Sequence, residues 1–423
     1  MRKLVKMSIV VASLVATSAM AADKGIDIAV TGQAALYYQT VAGNGNGEKD
    51  LFDSSKSRAN AGLQLNLDAD LKNNFTFGSQ ITYLGTSGLE KNVVGNTMQD
   101  INAKAGSTGI NDDIYLSQLY IAKKIANTTV KIGRQELPMS LSPFAYSEDW
   151  NVFKNTFDAI LAVNTDLPDT TVVGAYVSGG NYNAPASNMA QFGDLKVAGM
   201  DIDGTAYMLT VQNKSLPMAT VTATYYGLQN IATAVDADVL WGDVTISDKS
   251  LPMGLKVGVQ GGSIMPDSAS NLKDTNAFGA RISIKPMDPL TLCVAYSNVN
   301  DGDVPLVNVG GVKTPLYTQM IANQDPISKD ADTIMVKADY NMGDFGAITL
   351  QDAFTSAGSK NRENAGRTAG KNADYNDLEL VYKIKAGGVQ YFAAIANRTW
   401  SEEKVANSQD SENWIRVWGR YNF

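Results

Sequence analysis

The chain has 423 residues, with 35 Lys plus Arg against 43 Asp plus Glu and 44% hydrophobic residues. It contains no His and one Cys, Cys293, which removes Ser-His-Asp catalysis, the usual zinc sites and any intramolecular disulfide. The acidic balance also argues against a nucleic-acid partner, which requires basic patches.

Residues 1–21 read as a secretory signal peptide. Arg2, Lys3 and Lys6 form a basic start, Met7 to Val15 is apolar, and Ala19-Met20-Ala21 supplies a small-x-small cleavage pattern. The apolar run is shorter than the ~20 residues a spanning helix needs; an uncleaved anchor is the other reading. Removing the segment leaves 32 basic against 43 acidic residues, a formal charge of −11.

From residue 22 to 423 no apolar run is long enough to span as a helix. Segment after segment alternates with period two, which places two environments on the two faces of a strand. In Ala59 to Asp68 one face is Ala59, Ala61, Leu63, Leu65 and Leu67; the other is Asn60, Gly62, Gln64, Asn66 and Asp68. Such segments number about eighteen, each roughly the ten residues of a tilted membrane strand. They start near Asp27, Arg58, Phe75, Ile114, Thr128, Thr156, Thr170, Thr205 and Pro217, then near Ala237, Met253, Asn276, Leu290, Thr333, Ala347, Asp377, Val389 and Trp414.

Connections alternate between short turns such as Asp70-Leu71-Lys72-Asn73 and Lys385-Ala386-Gly387-Gly388, and long polar segments such as Gly85 to Asp113 and Asn300 to Ala331. A soluble sandwich also alternates. Here, however, the second face is rich in Thr, Asn, Gln, Ser and Gly, suiting the wall of a wet lumen. Outward aromatics also sort to strand ends: Phe75, Tyr340, Tyr382, Tyr421 and Phe423 at one interface, Tyr83, Tyr225 and Tyr296 at the other. The expected fold is therefore all-β, a transmembrane antiparallel barrel with short periplasmic turns and long extracellular loops.

The chain ends Trp418-Gly419-Arg420-Tyr421-Asn422-Phe423. Tyr421 and the terminal Phe423 resemble the assembly signal of Gram-negative outer-membrane barrels. Leu116-Ser117-Gln118-Leu119-Tyr120-Ile121 through Val130-Lys131-Ile132-Gly133-Arg134-Gln135, with Asn164 to Asp169, resembles the major outer-membrane porins of Campylobacter and, more broadly, the OprD-type porins. The resemblance implies an eighteen-stranded channel in the outer membrane for passive diffusion of ions and small polar solutes. It also implies a homotrimer in contact with the lipid bilayer and lipopolysaccharide. The Pro-Glu-Phe-Gly-Gly element of enterobacterial porins is absent.

In porins the third long loop folds into the barrel, so the resemblance points to a constriction near 135–155. This stretch holds Glu136, Pro138, Pro143, Tyr146, Glu148, Asp149, Trp150 and Lys154. Glu148 and Asp149 are expected to present negative charge to the lumen; a surface loop with solvated acids is the alternative. Parity turns Arg58, Lys131, Lys256, Arg281, Lys337, Arg398, Arg416 and Arg420 inward, giving a transverse field across the narrowing. Asp243, Asp339, Asp377 and Glu379 also turn inward, so ion preference stays open.

No cofactor is expected. Calcium is the one ligand considered, at Asp112-Asp113 or Glu148-Asp149, although neither pair has EF-hand spacing. An enzyme is disfavoured by the lack of His. A surface adhesin or structural barrel is the alternative to a channel.

Overall fold

The computed structural model describes residues 26–88, 92–101, 113–197, 200–202, 204–232, 235–368 and 373–423. The expected signal peptide lies outside the described residues. One closed sheet of eighteen strands forms the molecule, each strand antiparallel to the next and the last to the first. The strands are β1 (Asp27–Gly43), β2 (Ser57–Lys72), β3 (Phe75–Gly85), β4 (Asp113–Ile125), β5 (Thr128–Gln135) and β6 (Phe157–Asn164). Next come β7 (Thr170–Gly180), β8 (Ala206–Asn213), β9 (Ala219–Ala232), β10 (Val235–Ser247), β11 (Lys256–Pro266) and β12 (Thr275–Met287). The circuit closes through β13 (Leu290–Val299), β14 (Ala331–Asn341), β15 (Ala347–Ala357), β16 (Tyr375–Ala386), β17 (Val389–Trp400) and β18 (Ser411–Asn422).

Closure pairs every strand edge, which is what a sheet in hydrocarbon requires. At the seam the backbone of Phe423 exchanges hydrogen bonds with Gly32, at 2.7 and 3.0 Å. Gly32 is glycine for a steric reason: a Cβ there would lie 2.4 Å from the Phe423 ring.

The molecule is inverted relative to a soluble protein. Leu209, Leu240, Ile282, Ile334, Leu350 and Ile395 are among the outward side chains at least half exposed or nearly so. A continuous apolar belt of this kind is stable only against lipid. Aromatics border it at both ends. Tyr207, Tyr225, Phe278, Tyr296 and Phe354 are exposed toward the long loops; Tyr340, Tyr391, Tyr421 and Phe423 are exposed toward the short turns. Two acids on the outward face are held by neighbours: Arg134 grips Asp158 at 2.9 and 3.1 Å, and Asn376 donates to Asp352 at 2.9 Å.

The long-loop side is less uniform than the sequence suggests. Only two residues join β9 to β10 there, after a register shift between Leu228 and Ala232. The inner wall also departs from expectation. It is not polar throughout: Val173, Val177, Met208, Tyr226, Val239, Trp241 and Ile264 point inward and are buried.

Candidate channel constriction

Two loops leave the long-loop end and enter the barrel. Residues 136–156 descend from β5, and residues 300–330 from β13. The first is held in tight turns around Pro138 and Ser142, whose Oγ donates to the Ala145 carbonyl at 2.7 Å. Phe144 then inserts edge-on between Tyr226 and Trp241, with ring centroids 5.9 and 5.2 Å away. Its amide donates to the Tyr226 hydroxyl at 3.1 Å, so the ring is placed and its backbone satisfied by one wall residue. Leu306, Val307, Val309, Leu316 and Ile327 of the second loop cover the same apolar wall.

Farther along, residues 150–153 cross to β1, β2 and β18. Arg420 Nη2 donates to the carbonyls of Asp149, at 3.1 Å, and of Asn151. The Arg416 guanidinium lies 5.1 Å from the Trp150 ring. Gly62 makes room for Phe153, since a Cβ there would come within 2.4 Å of that ring. Buried amide side chains satisfy the loop backbone: Gln99 receives the Phe153 amide at 2.9 Å, Asn155 receives that of Glu148 at 2.7 Å, and Asn308 receives that of Tyr146 at 2.8 Å.

Glu148 differs from the expectation of a lumen charge. It is 1% exposed, and its carboxylate accepts from Trp150 Nε1 at 2.6 Å, Asn308 Nδ2 at 2.9 Å and the amides of Val312 and Lys313 at 3.2 and 2.8 Å. Three of these four hydrogen bonds join the first loop to the second, and the one from Trp150 lies within the first. Enclosure pushes this carboxyl above its ordinary range, while the donors from Asn308, Lys313 and Trp150 pull it back. Tyr146 is likewise buried, at the loop junction. Asp149 is the acid that stays open, 70% exposed and 3.9 Å from Lys313. Glu136 pairs with Lys154 at 2.7 Å on the water side of the same loop.

The second loop is fastened to the wall by strand residues. Tyr317 donates to Asp243 and lies 4.0 Å below the Arg281 guanidinium. The amides of Ile321 and Ala322 donate to Glu379, at 3.0 Å for Ile321, and Arg398 donates to the Ala322 carbonyl at 2.8 Å while gripping Asp377. Much of the inward charge therefore holds loops.

Two open chambers of the lumen lie along β14–β18. An outer chamber of about 370 Å³ is lined by Arg362, Glu363, Arg398, Glu412 and Trp414. An inner one of about 440 Å³ is faced by Lys313, Lys337, Lys383, Arg416 and Arg420 against Asp149 and Asp339. Trp150, Ile321, Gln324 and Arg416 line both, and so mark the neck between them.

Lys337, Arg416, Arg420 and Asp149 are thus brought to one chamber, and Glu136 and Lys154 share a neighbouring space with Arg420. Arg58, Lys131, Lys256 and Arg281 face inward elsewhere: Lys131 sits 3.5 Å from the Tyr120 ring, while Lys256 shares the face of Gly258, which abuts Tyr317. Sequence reasoning placed 300–331 among the long loops but missed its inward course, and it missed the amides that tie both loops down. The density of Asn at 151, 155, 181, 183 and 308 was the available signal. Asp112 lies outside the described residues, and among the described ones no group of three or more acidic or Cys side chains could hold a metal.

No family model matches the chain, and no curated protein is found similar in sequence. Its fold is shared with proteins of Pseudomonas aeruginosa. OccK8 (OprE) superposes with a TM-score of 0.71 at 14% identity, over 94% of this chain and 98% of that one. OpdK, solved with vanillate, gives 0.71 at 14% identity over 94% and 98%. OccK2 (OpdF), solved with glucuronate, gives 0.68 at 13% identity over 94% and 96%. These neighbours are OprD-type outer-membrane porins, and the likeness is one of fold. The class the architecture defines is an eighteen-stranded transmembrane β-barrel with loops folded into its lumen.

Proposed function

We propose that the protein is a porin of the outer membrane, a water-filled channel through which ions and small polar solutes diffuse passively. The observation that carries this is the inversion of the barrel: apolar side chains meet the outside, and two charge-lined chambers joined at a neck lie within. Lipid and water occupy the opposite sides from those of a soluble sandwich. A structural or adhesive barrel gives no reason for a charged passage.

The inner chamber carries more cationic than anionic side chains, so small anions are the favoured solutes. The vanillate and glucuronate with which two of the fold neighbours were solved are anions. Export by the segment 1–21, assembly through Tyr421 and Phe423, a trimeric state and contact with lipopolysaccharide complete this reading. So does the narrower likeness to Campylobacter porins in Leu116 to Gln135. Purified protein in planar bilayers should give stepwise conductance, with a reversal potential of anion sign under a salt gradient. Protein that inserts but passes no current would overturn the channel.

A further inference from the structure

Three neighbouring short turns share one sequence pattern and one backbone. The β6–β7 turn reads Asn164-Thr165-Asp166-Leu167-Pro168-Asp169. The β8–β9 turn reads Asn213-Lys214-Ser215-Leu216-Pro217-Met218, and the β10–β11 turn Asp248-Lys249-Ser250-Leu251-Pro252-Met253. In each, the leading Asn or Asp side chain accepts the amide two residues on, at 2.8–3.1 Å. The Leu carbonyl then accepts the amide three residues on, at 3.2 Å. The turns are also tied to one another: the Lys214 amide donates to the Asp169 carbonyl and that of Ser247 to the Met218 carbonyl, both at 2.8 Å. After the proline, φ is +51° at Asp169, +62° at Met218 and +52° at Met253. Asp, Asn and Gly enter this left-handed region readily, so the backbone does not ask for Met at the last two positions. Met there costs conformational energy that a use for its side chain must offset.

What those side chains meet follows from where they stand. Leu167, Leu216, Met218 and Met253 are 45–57% exposed, and so is Met287 at the next turn, β12–β13. The outer belt comes down to this level through Val211, Ile246, Val259 and Ile282, all exposed. On β14–β18 the turn-side border of the belt is aromatic, with Tyr340, Tyr391 and Tyr421. Among the described residues, the turn-side ends of β6–β13 carry no aromatic ring. The gap in the girdle coincides with the run of Leu and Met turns.

We propose that the turns from β6–β7 to β12–β13 are a lipid anchor, in which Leu167, Leu216, Met218, Met253 and Met287 insert into the phospholipid of the inner leaflet. They take the place of the aromatic border, which elsewhere on the barrel holds the level of the headgroups. The occupant is lipid because the patch adjoins the lipid-facing belt along the arc where that belt lacks its border. Lys214 and Lys249, exposed in the same turns, suit the phosphates of that leaflet. The inference rests on the barrel lying in a membrane and is separate from its conduction of solutes.

The test places an environment-sensitive fluorophore on single thiols in a Cys293→Ser background. Met218→Cys and Met253→Cys probe the anchor, Ile395→Cys the belt, and Ala386→Cys the β16–β17 turn, where the aromatic border is present. Each folded chain is set in phospholipid nanodiscs, whose two faces both meet water. Labels at 218 and 253 should be quenched by lipids with brominated acyl chains, like the label at 395, and should resist aqueous iodide. The label at 386 should show the reverse. Labels at 218 and 253 that behave like the one at 386 would overturn the anchor and assign these turns to a partner in the periplasm. No bromine quenching at 395 would defeat the membrane barrel and the anchor with it.

The native chain gives a second reading that needs no substitution. Met139, in the loop that enters the lumen, is 45% exposed, the same as Met218. In nanodiscs a charged, water-soluble oxidant should convert Met218 and Met253 about tenfold more slowly than Met139, the occupancy ratio expected for covering one large apolar side chain. Equal rates at the three methionines, read by mass spectrometry of their peptides, would overturn the proposal.

Discussion

The inner faces of β8–β11 and of β14–β18 belong to the same barrel but meet different neighbours. On the first, Met208, Tyr226, Val239, Trp241 and Ile264 are buried beneath Phe144 of one loop and Leu306, Val309 and Leu316 of the other. On the second, Lys337, Gln351, Lys383, Gln390 and Arg420 border open chambers. Burying each large apolar side chain contributes about 1.5–3 kcal/mol toward docking the loops on this wall. The dry wall thus fixes the loops, and the wet wall is left for solute. Charge acts differently in the two places. Glu148 is spent on a junction between loops, whereas Asp149, its neighbour in sequence, faces water.

Two substitutions sharpen that contrast. Glu148→Ala should have the larger effect, because it strips four donors of their buried acceptor. Loop docking should weaken by several kcal/mol, since each buried donor left without an acceptor costs about 1–3 kcal/mol. Limited proteolysis should then cut within 300–330 and the open-channel current should become noisy, while the barrel melts as before. Unchanged protection of that loop would show that the apolar wall alone suffices. Lys337→Gln should have the smaller effect on stability. Its pair with Asp339, 3.1 Å apart, is partly exposed on both sides, so the change should stay within about 0.5 kcal/mol. Its consequence should appear instead in the reversal potential, moved toward cations. A large loss of stability with unaltered selectivity would place Lys337 among the structural residues.

The barrel was legible in the sequence because lipid tolerates few exceptions. Strand starts read from alternation fall within three residues of the observed ones, the largest offsets being Met253 against Lys256 and Trp414 against Ser411. The inward placement of the basic residues followed from the same parity. The dry wall was not read, because inward apolar residues look like lapses in the pattern. Val172-Val173 and Val239-Leu240-Trp241 are in fact short runs that are apolar on both faces, the mark of a strand covered on two sides. Nor does alternation say where a long loop goes. The inward course of 300–330 depends on contacts with Asp243, Glu379 and Glu148, each distant in sequence.

The inversion of the barrel is tested most directly by thiol accessibility on one strand. In a Cys293→Ser background, Gln390→Cys and Ile395→Cys place single thiols on β17, the first bordering the inner chamber and the second 56% exposed on the outer belt. In reconstituted vesicles a charged, membrane-impermeant thiol reagent should modify the cysteine at 390 rapidly and spare the one at 395, which a lipid-soluble reagent should reach. Rapid modification at 395 by the charged reagent, with position 390 protected, would contradict the account.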